Sequence, residues 1–395
     1  MRIDNNFFCI KKDGFPRFRV VIWPYSVMFL FVSLFVFIPQ ITYTQENRPE
    51  ILKQYPPVPI LSTQLRELKS SLVNQEYHLY IHLPRTYWDE KTRRSYPVMY
   101  LLDAQWDFPL VTAIYGSQYY DGFLDEIIIV GITWGGENPN YDELRVRDFT
   151  SVQDSVVLQT GGAAKFFSAI KEEIIPFIET EYPVKKNDRG LMGSSLGGFF
   201  TLYAMFNETQ LFKRYIVSSP ALRLSNRIAY QYENDYAEKN TNLSSKVFMV
   251  IGEYEDVDEF MDFTNSLKKR NYKGLKLEST VIKGMGHSGH KAEGFTRGMQ
   301  SVYARLFLKL PDEILDKYVG TYDVQGKKVQ LVIEDGNLVS IDMNNSRIVW
   351  NAETSKDFYS KGSYQFVHFI EDQYGQITGF KVEFFNGGFF AEKVE

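Results

Sequence analysis

A single cysteine, Cys9, stands among 395 residues, so the folded body has no disulfide and is held by its core alone, which a chain of this length can supply. Positive charge is equally lacking as a patch. The 44 Lys and Arg are scattered among 49 Asp and Glu, and the net charge of -5 argues against a polyanion-binding face and so against a nucleic-acid partner. Long repeats and low-complexity tracts are absent, which excludes a repeat architecture. Histidine is scarce too, five in all, and that shortens any search for a catalytic base.

The one long apolar run, Val20 to Ile38, follows Lys11, Lys12, Arg17 and Arg19. About 19 apolar residues just span a bilayer, and a basic flank stays on the cytoplasmic side. The run is therefore an export signal or a membrane anchor, and Cys9, ahead of it, is lost or left behind. Thr42-Tyr43-Thr44 before Gln45 offers a cleavage site, and a start at Met28 would leave a shorter signal without its basic flank. A cleaved signal is favoured. Either way the body lies outside the cytoplasm: periplasmic, secreted or anchored. Residues 1–44 are read as this segment, and 45–64 as a linker holding Tyr55-Pro56-Pro57-Val58-Pro59.

Residues 65–310 read as one large α/β unit. Tyr77 to Leu83 alternates strictly and predicts a strand with His78 and His82 together on its wetter face; two such histidines without a third ligand make no metal site. Pro97–Leu102 and Ile127–Gly131 are continuous apolar runs, as buried parallel strands are. Phe166, Phe167, Ile170, Ile174, Phe177 and Ile178 form one helical stripe. Val247–Ile251 and Leu277–Ile282 predict two later strands, and Gly294–Leu310 a closing helix. Such alternation implies an open, mostly parallel sheet with helices on both faces and a site at the carboxyl ends of its strands. Beyond Pro311 the pattern changes to short alternating segments broken by Asp335-Gly336-Asn337, Asn344-Asn345, Tyr374-Gly375 and Asn386-Gly387-Gly388. Residues 311–395 therefore predict an all-β accessory unit, a small barrel or sandwich.

The chemistry centres on Gly193-Ser194-Ser195-Leu196-Gly197. An apolar strand, Arg189–Met192, precedes it, and an amphipathic helix carrying Phe199, Phe200, Leu202, Tyr203 and Phe206 follows Gly198. Strand, tight turn and helix in this order form a nucleophile elbow, in which a serine hydroxyl is pushed into an open site. Ser195 is the candidate nucleophile. The Leu196 N–H, at the helix start, is a candidate oxyanion donor, a contribution of about 3 kcal/mol. A serine needs a base, and the base an acid, in the chain order serine, acid, histidine. After Ser195 the histidines are His287, His290 and His368. His287 comes first in the glycine-rich loop Gly284–His290 between the last strand and the last helix and is preferred; His290 is the alternative, a loop or helix-start residue otherwise. The acid should follow the strand ending at Ile251, where Glu253, Glu255, Asp256 and Asp258 stand; Glu255 is preferred and Asp256 second.

These residues resemble the esterase D-type (putative esterase) branch of the α/β-hydrolases, which also holds siderophore esterases, feruloyl esterases and mycolyltransferases. The resemblance is carried by Tyr96-Pro97-Val98-Met99-Tyr100-Leu101-Leu102-Asp103, Arg145-Val146-Arg147-Asp148-Phe149-Thr150, the helix with Ile174-Ile175-Pro176-Phe177-Ile178, the elbow, and the stretch from His287 to Gly298. It spans about residues 65–310. It implies an acid three residues after the glycine that ends its strand, which maps onto Glu255 from Gly252. It also implies a second oxyanion donor, the backbone N–H of Gln105. Here Ala104 replaces the family's glycine and still presents that amide if its φ is negative. After Ser218-Ser219-Pro220, where relatives often carry a tryptophan, Leu222 and Arg223 stand as candidate pocket residues, Arg223 for an anionic group. The C-terminal unit more loosely resembles the small β-barrel appended to some serine β-lactamase-like hydrolases.

The expected protein is a serine carboxylic-ester hydrolase acting through an acyl-enzyme, with no cofactor and no metal, on a small-molecule ester such as a sugar acyl, feruloyl-type or siderophore ester. Acyl transfer to an alcohol uses the same constellation. A ligand-binding surface protein on a degenerate hydrolase scaffold is the non-enzymatic rival. Membrane contact is expected only through the N-terminal apolar segment, and an oligomer contact through the C-terminal unit is open.

Overall fold

The computed structural model describes residues 58–88, 94–153, 159–362, 365–384 and 387–394. The basic and apolar N-terminal segment, Cys9, the candidate cleavage site, Met28 and most of the proline-rich linker lie outside the described residues. Among the described residues no helix is long and apolar enough to cross a membrane.

β1 (Thr63–Ser70) and β2 (Gln75–His82) form an antiparallel hairpin with Thr63 opposite His82. The chain then lays down β3 (Tyr96–Leu101), α1 (Ala104–Tyr120), β4 (Ile128–Trp134), α2 (Tyr141–Phe149), α3 (Ala163–Ala169), α4 (Ile175–Glu181), β5 (Val184–Ser194) and α5 (Leu196–Asn207). It continues through β6 (Arg214–Ser218), α6 (Leu224–Ala237), β7 (Lys246–Gly252), α7 (Val257–Arg270), β8 (Lys276–Ile282) and α8 (Lys291–Val302). The eight strands order β1-β2-β4-β3-β5-β6-β7-β8. β2 runs antiparallel to β4 and every later neighbour is parallel.

Strand periodicity divides the core in two. From β3, Val98 and Tyr100 enter one apolar cluster with Phe149, Phe166, Phe199 and Phe200, whereas Met99 and Leu101 enter the other with Phe108, Val111, Phe295 and Met299. Helices therefore cover both faces, and the open, mostly parallel sheet expected from the alternation of runs is the sheet that forms.

Two details differ from expectation. The stripe from Phe166 to Ile178 is not one regular helix: α3 and α4 are joined by a π-helical turn, Ile170–Ile174. Pro176 lacks an N–H and its ring crowds the carbonyl four residues back, which the wider turn accommodates. The closing helix begins earlier than Gly294 and stops at Val302, not Leu310. Beyond it the backbone is drawn into pairing instead, Ala304 with Leu124 and Leu308 with Ala352. His78 and His82 share the less buried face of β2, as expected, opposite the fully buried Tyr77, Leu79 and Ile81; α1 lies over part of it, His82 packs edge-on against Tyr115 at 5.4 Å, and burial pushes its imidazole down to about 4.

α9 (Asp312–Leu315) leads into eight antiparallel strands, β9 (Gly320–Val324), β10 (Lys327–Glu334), β11 (Asn337–Ile341), β12 (Arg347–Ala352), β13 (Asp357–Ser360), β14 (Gln365–Glu371), β15 (Ile377–Phe384) and β16 (Gly387–Lys393). β16 pairs back onto β9, so the barrel closes and leaves no free edge. Tyr318, Tyr322, Phe358, Phe369 and Phe380 fill it. Of the two all-β forms open in the sequence, the barrel is the one adopted.

Candidate active site

β5 delivers Ser195 at its carboxyl end with φ 60° and ψ -118°, a conformation that costs a non-glycine residue on the order of 1–3 kcal/mol and must be imposed by its surroundings. The surroundings do impose it. Ser195 donates its N–H to the Ser218 carbonyl at 2.9 Å and accepts from the Phe199 N–H at 2.9 Å. The turn is so tight that a Cβ at Gly193 would stand 2.3 Å from the Gly197 carbonyl oxygen, and one at Gly198 would stand 2.7 Å from that of Ser218. Glycine is thus required on both sides of the serine by space alone.

Leu196 opens α5 and Gln105 is the second residue of α1, so both backbone N–H groups lie in first helical turns, where N–H groups lack intrahelical partners. The left-handed residue at the head of α1 is Asp103, with φ 55°, and Ala104 is not among the residues of positive φ. The alanine that departs from the family pattern therefore sits in ordinary helical backbone. Arg145 from α2 grips Asp103 in a two-pronged pair at 2.8 and 2.9 Å, and its Nη2 also donates to the Ser194 carbonyl at 3.1 Å. Burial pushes the Asp103 carboxyl up, opposed by Arg145.

Two loops meet beside the elbow. Glu255 Oε2 lies 2.5 Å from His287 Nδ1. Its Oε1 accepts from Ser219 Oγ at 2.7 Å and from the Gly252 N–H at 2.8 Å. Burial alone would raise the Glu255 carboxyl, but hydrogen bonds from His287, Ser219 and Gly252 together hold it below the usual glutamate range. His287 is about half exposed, with a side-chain accessibility of 52%, and among the described residues its Nε2 has no hydrogen-bond partner, nor does Ser195 Oγ.

Asp256, the second-choice acid, points elsewhere: it caps α7 by accepting from the Glu259 N–H at 3.3 Å and pairs with Arg223. Arg223 is held by Asp256 and lies 3.7 Å from Glu259, while Leu222, 4% exposed, packs in the core.

His290 is fully buried. Its Nδ1 faces the Gly286 carbonyl at 3.1 Å and its Nε2 faces Ser218 Oγ at 2.7 Å and Ser219 Oγ at 3.2 Å. A carbonyl only accepts, so Nδ1 carries the proton and Nε2 accepts. Ser219 spends its own proton on Glu255, leaving Ser218 as the donor to His290. This serine–histidine bracket beneath the loops was missed in the sequence; its only signal was two adjacent serines after a strand. Lys291 adds a further tie, holding Asp107 of α1 at 2.8 and 2.9 Å. His368 is far along the chain in β14 and pairs with Asp357 at 2.6 Å.

Comparison with known proteins gives a family model described as putative esterase, which matches residues 70–295. The ferri-bacillibactin esterase BesA of Bacillus subtilis is 28% identical over 249 residues, 58% of this chain and 85% of the relative. A siderophore triacetylfusarinine C esterase of Aspergillus fumigatus is 28% identical over 170 residues, 42% of this chain and 58% of the relative. Among solved structures, the BES protein from Bacillus cereus superposes with a TM-score of 0.56 at 25% identity, covering 62% of this chain and 97% of its own.

Proposed function

The chain belongs to the putative esterase family, and we propose that this carboxylic-ester hydrolase works through an acyl-enzyme on Ser195, with His287 as base, Glu255 as its orienting acid, and siderophore-type esters as substrates. The observation that carries the reading is the 2.5 Å pairing of Glu255 with His287 Nδ1. It fixes the tautomer: with the proton on Nδ1, Nε2 is the basic nitrogen.

Ser195 Oγ attacks the ester carbonyl while His287 Nε2 takes its proton, and the oxyanion is met by the Leu196 and Gln105 N–H groups. Collapse of the tetrahedral species breaks the carbon–oxygen bond, and His287 returns the proton to the departing alcohol. Water, giving its proton to the same nitrogen, then attacks the acyl-serine; the bond to Ser195 Oγ breaks, the acid leaves, and His287 returns the proton to Ser195 Oγ. The fixed donors require no reorganisation as charge develops. The siderophore class is supported by the similarity to the ferri-bacillibactin and triacetylfusarinine C esterases. A place outside the cytoplasm rests on the sequence of the N-terminal segment.

The test is S195A, assayed on a p-nitrophenyl ester and on a catecholate trilactone siderophore. Turnover of both should fall by about 10³-fold or more with the melting temperature retained, and fluorophosphonate labelling should vanish. Wild-type turnover in S195A would refute the nucleophile; trilactone hydrolysis no faster than the uncatalysed rate in the wild type would refute the substrate class.

A further inference from the structure

The strand order β5-β6-β7 sets the end of β6 between the strand that delivers Ser195 and the strand that leads to Glu255. Ser218 closes β6 and Ser219 follows it. The Ser218 carbonyl accepts the Ser195 N–H at 2.9 Å, and the Ser219 N–H donates to the Val250 carbonyl of β7 at 2.7 Å. The backbone of this dipeptide thus ties the elbow to the acid's strand.

Ser219 holds a conformation that its residue type resists. Its φ is 40°, left-handed backbone that glycine adopts freely and other residues do not. Pro220 follows, and a proline confines its predecessor to extended backbone. Such outliers persist only where the surroundings over-determine them, and they gather at functional sites. Glycine would relieve the strain. A hydroxymethyl group stands there instead, 3% exposed.

That hydroxyl has two acceptors in reach, Glu255 Oε1 at 2.7 Å and His290 Nε2 at 3.2 Å. Ser218 Oγ lies nearer to the imidazole nitrogen, at 2.7 Å, and that nitrogen has one lone pair to offer. Ser218 therefore satisfies His290, and the Ser219 proton goes to the carboxylate. The end of a glutamate side chain turns easily, because its last torsion is broad, so one oxygen must be pinned if the other is to face a fixed partner. Two hydrogen bonds pin Oε1 among the described residues. The Gly252 N–H, at 2.8 Å, belongs to the acid's own turn, whereas Ser219 reaches in from the neighbouring strand.

We propose that Ser219 is a positioning residue for ester hydrolysis: its hydroxyl fixes the plane of the Glu255 carboxylate, so that Oε2 meets His287 Nδ1 and the imidazole is aimed at Ser195. The proposal rests on the Ser195, His287 and Glu255 reading and adds a fourth side chain to it. Backbone strain at residue 219 is kept because the hydroxyl is needed at that point and glycine cannot supply it.

S219A and S219G test this in the full chain on a p-nitrophenyl ester, since both lack the hydroxyl and only S219G is free of the strain. Each should lower kcat by about tenfold or more, the scale of a hydrogen bond to a charged group. KM should stay within about twofold, because the lost contact does not hold substrate. S219G should melt at least as high as S219A, so that stability recovers and turnover does not; should S219A fail to fold, S219G carries the test. In an E255A background the hydroxyl has no carboxylate to hold, and adding S219A should change kcat by less than about twofold, since two residues acting through one contact are not additive. Wild-type kcat in S219A, recovery of kcat together with melting temperature in S219G, or an undiminished effect of S219A in E255A would each overturn the proposal. S195A separates it from the reading beneath: wild-type turnover in S195A removes the whole triad, whereas an inert S195A beside a fully active S219A removes the role of Ser219 alone.

Discussion

Arg145 and Asp103, 42 positions apart, are joined by two parallel hydrogen bonds, and the same guanidinium nitrogen holds the Ser194 carbonyl. One side chain thus fixes both walls of the proposed oxyanion site, the turn before Gln105 and the strand end before Ser195. A lysine keeps the charge but not the fork. R145K should lower kcat for a p-nitrophenyl ester by about 10- to 100-fold, the scale of a misplacement near 1 Å, with KM little changed and fluorophosphonate labelling slowed in parallel. Unchanged kcat would show that the fork does not position the donors.

Glu255 divides its oxygens, Oε2 for His287 and Oε1 for Ser219 and Gly252. E255Q keeps the shape, but its amide nitrogen has no place opposite a protonated Nδ1, so the imidazole is driven to the wrong tautomer. Activity should drop by about 10²- to 10⁴-fold while Ser195 stays in place. Stability should respond as well. The Glu255 pKa is depressed below 4.5 in the folded state, so its contribution is complete above that value and is lost as pH falls through the folded pKa. In E255Q this part of the acid dependence, read from the melting temperature below pH 4.5, should be absent.

Two imidazoles act over a higher window. Burial lowers His82 from 6.5 to about 4 and lowers His290 too. Between those values the unfolded chain binds protons that the folded chain refuses, so stability is complete above 6.5 and declines as pH falls towards the folded pKa. H82F removes one titrating group together with a buried Nδ1 that has no hydrogen-bond partner among the described residues. The gap in melting temperature between pH 8 and pH 5 should narrow, by the equivalent of roughly 1–2 kcal/mol at pH 5. An unaltered gap would place the acid sensitivity elsewhere.

What was legible in the sequence was local. Gly193 and Gly198 announce a turn because only their size permits it, and the carboxylate that meets His287 is the one three residues after Gly252. Turn dipeptides foretold the all-β unit. What escaped was made by distant contact. Ser219 reaches Glu255 across 36 positions and Ser218 reaches His290 across 72, distances over which no spacing rule operates. The closing helix was overestimated for the same reason, since Leu308 is drawn off by Ala352. Leu222 and Arg223 stand where the family resemblance implies a pocket wall, and it is contacts distant in the chain, the core for Leu222 and Asp256 for Arg223, that hold them.

Gly252 provides a final test, because its missing side chain is the space in which the acid loop and the histidine loop approach. A Cβ there would stand 2.6 Å from the Met285 carbonyl oxygen, 2.9 Å from that of Gly286 and 3.0 Å from Glu255 Oε1. Two of these neighbours are backbone and cannot rotate away, so G252A must push the loop bearing His287 outward or tilt Glu255. Gly286 is also the carbonyl that fixes His290, so the displacement reaches the buried bracket. Overpacking of this kind costs about 1–3 kcal/mol, which a domain of this size can absorb. The loss of kcat should therefore exceed what the fall in melting temperature explains, and it should fall on kcat more than on KM, since the displaced groups move protons and do not hold substrate. A variant with wild-type kcat and a lowered melting temperature would mean that the two loops need not meet for turnover.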